Sequence, residues 1–334
     1  MTTESKRPSE RDAANRAPLV SIVIPAYNVA DYIGQALDSV MTQTVTDFEV
    51  IVVNDGSPET ETLERVLEPF RSRIVYIRQE NRGVSGARNT GIRVARGEFY
   101  AQLDPDDIWQ PNYLATQLGV LQADPTADLV YPNAVFFGDG AEVGRSFMEL
   151  CPSDGEVTLE KLLRLECTVM TSVTARREAI VRAGMYDEAI KTAEDFDLWL
   201  RVAQQGSRIV YHRTPLVRYR QRAGSLSADP IRMLRNALAV FDKLEQSGEL
   251  NDSVTAALAA GRSKLTANLR LCEGKNAFIL GDVPGAIAGL SDANTVLQSR
   301  RTALQVRLLR WCPGLLLRAY QWRERYWWKH ATRY

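Results

Sequence analysis

Four short apolar runs, each followed by a turn or polar cluster, recur through the first hundred or so residues with helical patterns between them. This alternation constrains the fold more than any other feature of the chain. Residues 19–24 form a β-rich run that Pro25 should stop, and residues 48–53 form a second that ends at Asn54-Asp55-Gly56-Ser57. A third covers 74–77, and a fourth, 98–103, leads into Asp104-Pro105-Asp106-Asp107. Runs of this length and composition read as buried strands. Between them, Asp31 can cap a helix carrying Ile33, Leu37 and Val40/Met41 at helical spacing, another passes through Leu63 and Leu67, and a third covers 84–95. Strands alternating with helices imply a parallel sheet covered on both faces, with ligands bound outside the carboxyl ends of its strands. The clusters after the first, second and fourth strands should therefore share one rim.

The acidic cluster has two readings. Three carboxylates in four positions repel one another, which a hard divalent cation or hydrogen-bond donors would relieve. An acidic turn that ends a strand and caps a helix starting near Pro111 suits the same residues. A dinucleotide-binding fold would place a Gly-rich turn after the first strand, where this chain has Pro25-Ala26-Tyr27-Asn28. Gly83, Gly86 and Gly91 do not form that fingerprint, and no P-loop pattern is present.

Lys+Arg and Asp+Glu are 41 each in 334 residues, which gives no sign of nucleic-acid binding. The balance is uneven: residues 301–334 hold eight Lys/Arg against one Glu, a net of +7, leaving −7 for residues 1–300. The four cysteines are scattered and read as thiols of a cytoplasmic protein. Two histidines offer little for a multi-histidine metal site or a Ser-His-Asp triad. No run approaches the ~20 apolar residues that span a bilayer, and the polar residues 1–17 read as a disordered leader.

The series Pro25-Ala26-Tyr27-Asn28, Asn54-Asp55-Gly56-Ser57, Glu80-Asn81-Arg82-Gly83 with Ala87-Arg88-Asn89-Thr90-Gly91, Asp104-Pro105-Asp106-Asp107 and Glu194-Asp195-Phe196-Asp197-Leu198-Trp199 resembles the inverting family 2 glycosyltransferases. The likeness runs from about Leu19 to Ser227. It implies an α/β GT-A fold, a Rossmann-like mostly parallel sheet with helices on both faces, in residues 18–229. It also implies an enzyme that takes a nucleotide-diphosphate sugar, with UDP-sugar expected, and uses Mn²⁺ or Mg²⁺.

Residue by residue, the resemblance implies that Pro25, Tyr27 and Asn28 line the donor, with Tyr27 against the base and Asp55 accepting from a uracil imide N–H. An Asx turn before Gly56 is the plainer use of Asp55. Arg88 would face the diphosphate; otherwise it is a helix surface cation. Asp104 would approach ribose or metal, Asp106 would be the main metal ligand, and Asp107 would cap or orient the loop. Asp195 would be the general base that deprotonates an acceptor hydroxyl, with Glu194 and Trp199 on the acceptor side. Many relatives have His where Arg222 stands, and a guanidinium binds phosphate but cannot ligate a cation, so metal dependence is open.

The implied acceptor is a hydroxyl of a glycan or glycolipid in polysaccharide or cell-envelope synthesis. The competing class is a non-catalytic nucleotide-sugar-binding or scaffold protein on the same fold. Beyond residue 229 helical patterns take over through 300, with a helical hairpin around 277–287. The tail 301–334 mixes seven Arg and one Lys with Trp, Tyr and Leu, which suits a bilayer interface, here the inner face of the plasma membrane. A final docked helix is the other reading.

Overall fold

The computed structural model describes residues 16–140, 142–222, 225, 229–246, 248, 250–314, 316 and 318. Most of the predicted leader, most of the loop 223–228 and the aromatic end of the tail lie outside the described residues. The chain divides into two compact units, residues 1–162 with 166–225 and residues 163–165 with 226–334.

The first unit is built on one eight-stranded sheet. Its strands are β1 (Val20–Ala26), β2 (Phe48–Asp55), β3 (Ile74–Gln79), β4 (Phe99–Gln102), β5 (Ile108–Trp109), β6 (Ala127–Gly138), β7 (Thr174–Arg176) and β8 (Arg208–Gln221), in the order β3-β2-β1-β4-β7-β6-β8-β5. Pairings among β1 to β4 are all parallel, so the carboxyl ends of β1, β2 and β4 do share one rim. Beyond β4 the sheet is mixed: β7 runs antiparallel to β4 and β6, β8 lies parallel to β6, and β5 pairs antiparallel with β8.

Helices α1 (Ala30–Met41), α2 (Thr60–Leu67), α3 (Gly83–Val94), α4 (Tyr113–Ala123) and α5 (Glu194–Gln204) accompany the strands. Every residue of β1 is buried, and Ile33, Leu37, Leu63 and Leu67 contribute to the apolar core.

Two local expectations need correction. Pro25 does not stop β1, which continues to Ala26. The β1–β4 ladder already ends at Val23↔Gln102, so the missing N–H of Pro25 falls where β1 has a neighbour on one side only. Asp31 is not the cap of α1 either. The helix starts at Ala30, whose N–H donates to Glu59 Oε1 at 2.7 Å, so a loop 29 residues away caps it and Asp31 sits in the first turn, where its charge suits the helix dipole.

The second unit contains α6 (Pro230–Gln246), α7 (Asp252–Ile279), α8 (Val283–Leu297) and α9 (Arg300–Trp311). The expected hairpin is present: α7 and α8 meet at a turn where Gly281 takes φ +84° and Asp282 Oδ1 accepts the N–H of Gly285 at 2.9 Å. Gly274 and Gly289 let these helices approach closely; a Cβ on Gly274 would lie 2.8 Å from the Leu290 nitrogen. Ala286, Leu290, Val306 and Leu309 form the buried seam between α8 and α9. Among the described residues no helix is long and apolar enough to cross a membrane.

Candidate active site

At the rim, Tyr27 follows β1 half-exposed, and Asn28 adopts a left-handed φ of +56° while its N–H donates to Ser57 Oγ at 3.0 Å. That bond ties the loop after β1 to the loop after β2. Pro25 is buried within β1 and lies behind these residues.

After β2, Asn54 builds the turn: its Nδ2 donates to Thr60 Oγ1 and Tyr76 OH, and its Oδ1 accepts from Ser57 N–H at 2.9 Å. Gly56 has φ +67°, and a Cβ there would come within 2.9 Å of the Asn81 nitrogen, so the two loops meet backbone to backbone. Asp55 is buried. Its Oδ1 accepts from Gln79 Nε2 at 2.7 Å and from the Arg82 N–H at 2.9 Å, whereas Oδ2 is buried without a partner. A buried acceptor left unmet costs about 1–3 kcal/mol unless a ligand supplies a donor.

Arg88 departs from expectation. It emerges from α3 almost fully buried, and its guanidinium bridges two acids, NH1 to Glu194 Oε1 at 2.6 Å and NH2 to Asp104 Oδ1 at 2.7 Å. Tyr186 lies against it with its ring centroid 5.2 Å away. An Arg committed in this way ties the end of β4 to the start of α5, and it does not present a diphosphate-facing fork. Burial alone would weaken its charge, but Asp104, Tyr186 and Glu194 more than offset that and hold it firmly protonated.

The acidic loop is anchored from the far side of the sheet. Asp107 Oδ1 accepts the Arg220 N–H at 2.8 Å, Arg220 Nε donates to the Asp106 carbonyl at 2.7 Å, and Arg222 Nε donates to Asp106 Oδ2 at 2.7 Å. Asp107 thus orients the loop, as expected, and its other oxygen is buried and unpartnered. Burial, Asp104 and Asp106 push its pKa well up. Asp106 is pushed up by burial and by Asp104, with Arg222 pulling the other way. Arg220 and Arg222 also pack over the Tyr32 ring at 5.1 and 4.9 Å, and Arg220 and Arg218 over Phe137 at 4.2 and 4.4 Å.

Among the described residues no group of three or more His, Cys, Asp or Glu side chains is arranged to hold a metal. Asp104 and Asp106 nevertheless fit a hard cation of the kind that is bound through one or two carboxylates and completed by water and phosphate. Each is held by an Arg through one oxygen, and each side chain keeps some exposure, 19% and 16%.

Across from this loop, α5 begins after Ala193, which sits in the left-handed region at φ +64°, a conformation costly for a residue with a Cβ. Glu194 is fixed on Arg88. Asp195 is partly buried and its Oδ1 accepts the Phe196 N–H at 2.7 Å. Burial first, then Glu194, raise its carboxyl to about 7; Arg88 lowers it and Asp104 adds a small push upward. Asp104 and Arg88 are thus close enough to act on it, and the acidic loop and the head of α5 belong to one site.

Trp199 is 1% exposed, which makes its ring part of the core and corrects the expected acceptor-side role; its indole N–H is buried without a partner. Glu194 is likewise taken up by Arg88. Sequence reasoning missed the supports. Asn89 exchanges hydrogen bonds with the Tyr186 backbone and reaches Glu188, and Tyr186 OH donates to Gln102. The alternation of Arg218 and Arg220 on β8, continued by Arg222 just past its end, was a visible signal for the anchor of the acidic loop.

Comparisons with known proteins bear on the family and the fold. The family model of Glycosyl transferase family 2 matches residues 21–180. An uncharacterized glycosyltransferase of Rickettsia prowazekii is 31% identical over 226 residues, 65% of this chain and 69% of the relative. A chondroitin synthase of Escherichia coli is 31% identical over 216 residues, 62% of this chain and 30% of the relative. The fold resembles a mannosyltransferase of Pyrobaculum calidifontis in complex with GDP-Man and Mn²⁺, with TM-score 0.61 and 22% identity over 92% of this chain and 85% of that one. It also resembles residues 1–349 of Staphylococcus aureus TarS in complex with UDP-GlcNAc, with TM-score 0.58 and 19% identity over 87% of each chain. The chain belongs to glycosyltransferase family 2, an enzyme family, and has the GT-A fold. It spans 31% or less of the length of the first curated relatives it matches, three uncharacterized Rickettsia glycosyltransferases.

Proposed function

We propose that the chain transfers a sugar, with inversion, from a UDP-sugar to a hydroxyl of a glycan or glycolipid acceptor, with Asp195 as general base. One observation carries this reading: a carboxylate raised to about 7 stands at the head of α5 within the electrostatic reach of Asp104 and Arg88. A base works best when its pKa lies near the working pH, since it is then both deprotonated and basic enough to accept the proton. Asp195 takes the proton of the acceptor hydroxyl as that oxygen attacks the anomeric carbon and the nucleoside diphosphate leaves from the opposite face. The Phe196 N–H holds one of its oxygens, and its chain neighbour Glu194 is fixed on Arg88.

Tyr27 packs against the base, and the unpartnered Oδ2 of Asp55 accepts from the imide N–H of uracil. The buried Oδ2 needs a donor, and the uracil imide N–H is one. Among the similar proteins, TarS is described with UDP-GlcNAc and the mannosyltransferase with GDP-Man; the Asp55 argument favours a base with a ring N–H donor, which uracil and guanine have and cytosine and adenine lack on that edge. Asn28 shapes the wall beside Tyr27, with Pro25 buried behind it. Asp104 and Asp106 are the carboxylates that would hold Mn²⁺ or Mg²⁺, and such an ion offsets charge on the departing diphosphate. Arg222, drawn toward Asp106, adds a fixed cation on the same side.

The test is UDP release from UDP-sugars with and without glycan acceptors, for the wild type and Asp195→Asn. Acceptor-stimulated release that the variant loses, with nucleotide binding retained, is the expected result. A variant as active as wild type would remove Asp195 from the mechanism.

A further inference from the structure

Helix α9 has two apolar faces, and only one of them is covered by the described residues. In α9, Thr302, Val306 and Leu309 are buried, the last two in the seam with Ala286 and Leu290. On the opposite side Leu304, Leu308 and Trp311 are 56%, 40% and 85% exposed. At 3.6 residues per turn these three fall within an arc of about 60°. Arg300, Arg301 and Arg307 lie roughly 50–70° to either side of the stripe's midline by the same geometry, all exposed, and the helix contains no acidic residue. Large apolar side chains are normally scattered on a surface; a contiguous row rimmed by cations marks an interaction face.

We propose that this face of α9 docks on an anionic lipid surface, with Leu304, Leu308 and Trp311 entering the boundary between headgroups and acyl chains and Arg300, Arg301 and Arg307 meeting lipid phosphates. Charge complementarity selects this occupant. A water-soluble apolar partner would not need three guanidinium groups along the edges of the stripe, whereas an anionic leaflet attracts them and a Trp sits well at its interface. The sequence that follows carries the same chemistry, with Trp322, Trp327, Trp328 and further arginines. The proposal stands apart from the sugar-transfer reading, because α9 contains none of the residues of the candidate active site.

The test is co-sedimentation of the full chain with vesicles of pure phosphatidylcholine and of phosphatidylcholine with about one-third phosphatidylglycerol, a fraction chosen to give a surface potential of the cellular kind. Wild type should partition at least tenfold more strongly onto the anionic vesicles and lose that preference in high salt. The triple variant Leu304→Gln/Leu308→Gln/Trp311→Gln should lose at least tenfold in partitioning while keeping its melting temperature and donor hydrolysis. Arg301→Gln/Arg307→Gln should lose the anionic preference alone. Equal sedimentation with both vesicle types, or a triple variant that partitions like wild type, overturns the proposal. So does a wild type that ignores vesicles but self-associates in sedimentation equilibrium through the same three residues, which would make the occupant a second copy of this chain.

Discussion

Two acid-rich stretches meet on Arg88, and they differ in which carboxylate is left without a guanidinium and how deeply it is buried. In the loop 104–107, each carboxylate has a basic or N–H partner: Asp104 has Arg88, Asp106 has Arg222, and Asp107 has the Arg220 backbone. At the head of α5, Glu194 takes the other arm of Arg88 and Asp197 takes Arg201, which leaves Asp195 with only its neighbour's N–H. Similar residues therefore acquire different chemistry. Asp104, Asp106, Glu194 and Asp197 have guanidinium partners, whereas Asp107 and Asp195 each have a backbone N–H alone and both carboxyls are pushed up; Asp107 is buried in its loop, and Asp195, whose carboxyl rises to about 7, keeps some exposure.

The largest expected effect erases the difference at its centre. Asp195→Asn should lower turnover by about 10²–10⁴-fold, the usual worth of a general base, with nucleotide affinity unchanged by calorimetric titration. A loss below tenfold would refute the assignment. Next is Arg88→Met, which strands Asp104 and Glu194 together. Removing one side of a buried ion network costs about 3–5 kcal/mol, so urea denaturation should show a loss of that size. A change under 1 kcal/mol would mean that the bridge is dispensable to the fold.

A smaller effect appears in pH dependence. Asp195 acts deprotonated, so kcat/KM should fall as pH drops below about 7. Glu194→Gln removes a negative neighbour that raises this pKa, and the acid limb should move to lower pH. A limb that stays in place would assign it to another group. The smallest effect is at the opposite stretch. Arg222→Gln frees Asp106 from a competing cation, and Mn²⁺ binding by calorimetry should tighten by about twofold to tenfold, the range expected of a partly exposed ion pair. Weaker binding would make Arg222 a support of the ion and not its rival.

The strand-helix alternation and the shared rim were legible because each depends on local pattern: a β-branched run ended by Asn54-Asp55-Gly56-Ser57 reads the same alone or folded. Asp195, Asp55 and the acidic loop could be singled out from ordered motifs. Arg88 and Trp199 could not be placed, because the same residues serve a surface or an interior and only packing decides. The direction of Arg88 was set by Glu194, 106 residues away, and Trp199 turned inward because the apolar side of α5 needed filling. The mixed half of the sheet was also hidden, since β7 has three residues and β5 two.

The pairing of β5 with β8 has a consequence for the order in which the site can assemble. The acidic loop is held by Arg220 and Arg222, more than a hundred positions later in the chain, and the matched family region ends at residue 180. A nascent chain that has emerged only that far already carries the donor-side motifs, but it lacks both the strand that clamps the loop and the helix that bears Asp195. The contact is long-range in sequence, so the acidic loop is clamped only once β8 has paired with β5.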